Sequence, residues 1–126
     1  MVVTVEQVLA KISPEEPNYK NAAELGPEAL PYLEIIVKVG KPSYAAKATS
    51  MASHIQDELA VKVLRIAAQS GDRAVRVAAA AGSRNLHIPS VKDVLDLLKN
   101  DQDAGVRRLA LKSIELKHGS KNSFLL

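Results

Sequence analysis

The amino-acid sequence predicts an all-α fold, an α-solenoid of about four stacked helical hairpins and about eight helices. Three observations predict it. The trio Tyr44, Ala48 and Met51 returns 31 residues later as Val75, Ala79 and Gly82, and after another 31 as Val106, Ala110 and Ser113. Within each trio the spacing is i, i+4, i+7, which is one face of an α-helix, and self-similarity at a fixed period is the mark of a repeat architecture. Turn residues recur at matching places, in Gly40-Lys41-Pro42, Ser70-Gly71-Asp72 and Asn100-Asp101-Gln102-Asp103. There Gly ends one helix and Ser or Asp caps the next. Finally, only Tyr19, Tyr32, Tyr44 and Phe124 are aromatic, so the core is left to Ala, Val, Leu and Ile, which suits close helix packing.

The elements follow in order. Thr4–Ile12 reads as an amphipathic helix with Val5, Val8, Leu9 and Ile12 on one stripe, and Asn18–Leu25 as a second short helix after the Ser13–Pro17 break. Together they make a shortened capping unit over 1–26, as the open end of a repeat array requires. Three full repeats are expected over 27–56, 57–87 and 88–117, completing a single domain over 1–117. Their helices are expected at 28–38 with 43–54, 58–69 with 73–85, and 90–99 with 104–117. Pro27 and Pro89, twice the period apart, each suit a first helical turn. Residues 118–126 read as a flexible, turn-rich tail. Its apolar end, Phe124-Leu125-Leu126, is expected to fold back on the last hairpin or to belong to a longer chain, with docking into a partner as the alternative.

Two segments carry a resemblance. Asp72-Arg-Ala-Val-Arg-Val-Ala-Ala79 and Asp103-Ala-Gly-Val-Arg-Arg-Leu-Ala110 resemble the D-x-x-V-R-x-x-A turn and second helix of HEAT repeats, and Leu25–Leu33 resembles their step into a first helix. The likeness covers about residues 18–117. It implies that Asp72 with Arg76, and Asp103 with Arg107, brace turns and adjacent repeats rather than bind a ligand. The unit at 28–55 departs from it, with Lys41 in place of the Asp and Ala45 in place of the Arg, so a ladder of braces would be incomplete there. The family resemblance says little about function, because such repeats serve in scaffolds, in bilin-lyase subunits and related cyanobacterial proteins, and in certain DNA glycosylases.

Composition bounds the chemistry. A chain of 126 residues, 47% hydrophobic and 25% charged, is that of one ordinary globular domain. With no cysteine, thiolate catalysis, disulfides and Cys-ligated metal sites are excluded. The first residues show no basic leader ahead of an apolar run, and no stretch approaches the ~20 apolar residues of a membrane span, so a cytoplasmic protein away from the membrane is expected. The net charge of +3 hides an asymmetry: residues 1–60 carry five lysines against eight acids, while residues 61–126 carry twelve basic residues against six acids. The basic half suits an acidic protein surface or nucleic acid, or a merely solvated helix face.

No catalytic, cofactor or metal site is expected. His54, His87 and His118 fall about one per repeat, and stacked helices ~8–10 Å apart do not converge such residues on one ion. There is no H-E-x-x-H, no G-x-S-x-G and no phosphate-binding glycine loop. A glycosylase reading lacks the aromatic residues that hold an extruded base. What remains is the surface of the second helices, which the resemblance places on the concave side of the array. The expected exposed triplets there are Ala46-Ser50-Ser53, Val77-Ala81-Arg84 and Arg108-Lys112-Glu115, small residues flanked by basic ones. The expected partner-binding residues are therefore Ser50, Ser53, Val77, Ala81, Arg84, Arg108, Lys112 and Glu115. The expected function is a non-catalytic scaffold or adaptor holding an acidic helix or segment of another protein along that face. The alternatives are an accessory subunit of a bilin-lyase-like enzyme and weak nucleic-acid backbone binding through the basic half.

Overall fold

The computed structural model describes residues 2–122, with side chains through His118; Phe124–Leu126 lie outside the described residues. Among the described residues there are eight α-helices, three 3-10 turns and no strand. Helix α1, Val5–Ile12, opens with a capping box in which the Thr4 hydroxyl accepts from the Gln7 N–H and the Gln7 side chain accepts from the Thr4 N–H. Helix α2, Tyr19–Ala22, is capped by Asn18 and tightens into a 3-10 turn over Ala23–Leu25. Gly26 follows at φ 80, a conformation that costs glycine nothing, and it turns the chain into the 3-10 entry Pro27–Ala29.

From there the helices pair. They are α3 Leu30–Val39, α4 Pro42–Ala52, α5 Glu58–Ala68, α6 Arg73–Gly82, α7 Val91–Leu98 and α8 Ala104–Asn122. Asp72 caps α6 as the turn residues predict and Asp57 caps α5, whereas α4 starts on Pro42 with no side-chain cap. A 3-10 turn over Ser83–Asn85 extends α6 to its expected end. Helix α8 runs on to Asn122, past the expected end at 117. One interior glycine costs a helix only about 1 kcal/mol, and no proline stops this one.

From α3 onward each helix packs on the next and on the next but one. Thus α3, α5 and α7 adjoin in sequence, as do α4, α6 and α8, with the apolar core between the two rows. Leu33, Leu64 and Leu95, one per first helix, are buried, and so are Ala48, Ala79 and Ala110, one per second helix. Each fully buried leucine contributes about 1.5–3 kcal/mol relative to exposure. Hydrogen bonds between the units repeat the same interval. Gln56 donates to the Asn85 carbonyl and accepts from the His87 N–H, Ser113 donates to the Ala80 carbonyl, and Lys117 donates to the Leu86 carbonyl, joining residues 29, 31, 33 and 31 apart. No helix among the described residues is long and apolar enough to cross a membrane.

The Asp and Arg of the repeated motif hold the turns. Arg76 Nε donates to Asp101 Oδ2 at 2.9 Å with both side chains 8% exposed, and its Nη1 donates to the Ser70 carbonyl. One unit later Arg107 Nη1 takes the Asp101 carbonyl in the same way. Asp103 accepts from the Val106 N–H and from Arg73 of the preceding unit. These two contacts, the Val106 N–H first, hold its carboxyl below the ordinary carboxylate value.

Asp101→Asn leaves Arg76 buried without its counter-ion and should cost about 3–5 kcal/mol in urea unfolding, while Arg76→Met with Asp101→Leu should recover most of it. For Asp103 the folded value is lowered, so the stability it supplies is present above its ordinary value of 3.8 and drains away as pH falls through the folded value. Asp103→Asn should therefore flatten the acid limb of a stability-against-pH curve, and an unchanged limb would assign acid unfolding to other groups.

Candidate interaction surface on the second helices

The candidate surface belongs to α4, α6 and α8, whose small inward residues draw the row together. The backbone of α6 comes so near α4 that a Cβ on Gly82 would lie 2.7 Å from Ser53 Cβ. Ser53 is consequently buried at 1% exposure rather than displayed, a correction to the sequence reading. Its hydroxyl donates to the Ser50 carbonyl at 2.6 Å and accepts from Asn85 Nδ2.

The physical reason lies in the register. Ser53, Arg84 and Glu115 occupy one column, and that column points toward the next helix of the row. Ser53 is covered by α6, Arg84 is half-buried with its Nε donating to Ser113 Oγ on α8 at 3.2 Å, and Glu115 is exposed. The sequence carried a signal for this, because Gly82 and Ser113, two columns back, are small where Met51 stands in the first repeat.

The other expected residues divide by depth. Ser50 is half-buried beside Tyr19, whose hydroxyl pKa is pushed up by burial and partly held back by the Ser50 side chain. Val77 packs on the core while half-exposed, and Ala81 is half-exposed too. Arg108 and Lys112 are exposed. Arg108 makes no ion pair among the described residues, and Lys112 reaches Glu115 only at 3.9 Å, with side chains 56% and 73% exposed. A pair so loose and so wet contributes little to stability, which leaves both cations available. The structure thus joins Arg84 to Ser113 and Lys112 to Glu115, while Ser50 and Ser53 belong to the packing of α4.

The histidines part company. His87 and His118 share a register position and are exposed, whereas His54 aligns with Asn85 and is half-buried, where burial and the nearby Lys20 charge lower its pKa. Among the described residues no group of three His, Asp or Glu side chains is placed to hold a metal ion. Sequence reasoning passed over two features: the Arg73–Asp103 link between units and the lysines that ring the exposed side of α7 and α8.

Because Gly82 sets the approach of α4 and α6, Gly82→Ala should destabilise the fold by about 1–3 kcal/mol despite alanine's better helix propensity. Adding Ser53→Gly should return part of that in thermal melts, and a Gly82→Ala chain as stable as the parent would refute the close contact. Compared with protein-family models, with curated proteins and with solved structures, the chain matches none.

Proposed function

We propose that this chain is a HEAT-like α-solenoid that works as a non-catalytic cytoplasmic adaptor, holding an acidic segment of another protein over the exposed face of α6 and α8. The solenoid reading is supported by packing that joins each helix from α3 onward to the next two, and by hydrogen bonds that span one repeat. The observation that carries the adaptor reading is the pairing of exposed cations with a small apolar floor. Arg108 and Lys112 stand free of tight carboxylate partners on the same row of helices as half-buried Val77 and Ala81. Small side chains let a partner backbone come close, and exposed guanidinium and ammonium groups at the edge select carboxylates and speed encounter. Exposed cations in the same place suit phosphates as well, which keeps nucleic-acid backbone binding as a second reading.

Arg84 is braced by Ser113, so charge reversal there risks the α6–α8 contact; Arg108 and Lys112 do not carry that risk. A nuclease-treated pull-down with the wild-type chain and an Arg108→Glu, Lys112→Glu variant, read by mass spectrometry, tests the proposal. Loss of a specific protein from the variant, whose melting temperature stays near the parent's, is the expected result. Retention of the same protein would move the contact off this face. Salt-sensitive binding of DNA or RNA with no protein captured would favour the second reading.

A further inference from the structure

The last hairpin holds a groove of about 510 Å³ between α7 and α8. Its floor is apolar, built on Ile88, Leu95 and Ile114, and its lining includes Lys92, Lys99 and Lys117. The register shows what is unusual about those lysines. Lys92 stands where Leu30 and Val61 stand in the earlier repeats, Lys99 where Val37 and Ala68 stand, and Lys117 where Ile55 and Leu86 stand. All six earlier residues are buried. They are covered because α5 packs against α3 and α4, and α7 packs against α5 and α6. The groove between α7 and α8 is therefore the place that a helix fills in each preceding unit. Lysine at the three covered positions selects an acidic helix over an apolar one. Lys99 is engaged by Asp96 at 3.2 Å, while Lys92 and Lys117 make no ion pair among the described residues. Burial also lowers the Lys117 pKa, a cost that a carboxylate brought near would relieve.

A helix of the required kind lies at the other end of the same chain. Helix α1 packs by Val8 and Ile12 against its own molecule and leaves Val5 and Leu9, one turn apart, each 37% exposed, with Val2 at 80% before them. Glu6 is exposed on the same helix. Residues 1–28 carry five acids against two lysines. Helix α1 has eight residues, as does α7, so its length of about 12 Å matches the element it would lie against.

We propose that α1 of one copy docks into the α7–α8 groove of a second copy, Val5 and Leu9 on the apolar floor and Glu6 toward the lysine rim. The contact joins two different surfaces, head to tail. A pair joined this way still has one unfilled groove and one unpaired α1, so further copies add as concentration rises. It is small and partly ionic, hence weak, fast to dissociate and weakened by salt.

Sedimentation equilibrium of the whole chain from about 10 µM to about 1 mM suits a contact of this class. The mass is expected to rise above 13.5 kDa with concentration and to fall back in about 0.5 M salt. Glu6→Lys and Lys92→Glu change exposed residues at opposite ends, and each alone should weaken association about tenfold with the far-UV spectrum and melting temperature unchanged. An equimolar mixture of the two should regain the wild-type mass, because each copy then offers a charge-matched end to the other. A wild-type chain that stays monomeric throughout overturns the proposal. So does association that ignores either substitution, or that fails to return on mixing.

Discussion

The Arg76 guanidinium sits where two turns meet and ties the second full repeat to the third. One edge of the guanidinium holds the Ser70 carbonyl of its own turn, and the other holds the Asp101 carboxylate of the next. A planar fork that binds two groups at once fixes a distance and an angle together, which a lysine in the same place would not do. Desolvating the pair is costly, and the return is a single register between neighbouring hairpins. With the turns fixed, α5 and α7 come together in one row and α6 and α8 in the other, and the interior between them fills with one-per-repeat leucines and alanines.

Tight packing within the row of second helices follows from side-chain size. Gly82, Ser83 and Ser113 are buried and small, so helices there approach until backbone and side chain nearly touch. That closeness decides which residues remain for contact with other molecules. It draws Ser53 inside and ties Arg84 down, and it leaves the accessible charge to α8, which has no following helix among the described residues.

Much of the helix pattern was legible in the sequence, because it is written in period and punctuation. Apolar spacing of i, i+4, i+7, the turn glycine and the capping aspartates located the helices from α3 to α7 to within about three residues. The end of α8 was not legible. His118-Gly119-Ser120 reads as a stop by local propensity, and the helix passes through it. The surface was harder to read than the core, since exposure at positions such as Ser53 is decided by a neighbour 29 residues away, and propensity does not see that far. Lys92, Lys99 and Lys117 were present in the aligned columns all along. Their meaning appears only once the equivalent positions are known to be buried.

The brace that ties the Ser70 and Asp101 turns has no counterpart one repeat earlier, where Ala45 occupies the Arg76 position and Ser70 itself the Asp101 position. One joint is thus stiffened by a buried ion pair, and the other is held by apolar packing, the Lys62–Glu34 pair and the hydrogen bonds of Gln56 and Ser53 to Asn85 and His87. Under a bending load, such as a bulky molecule settling against the second helices, compliance should concentrate near the Gly40–Pro42 turn, which lacks the brace. The backbone amides around that turn should accordingly exchange with solvent sooner than those of the braced turns.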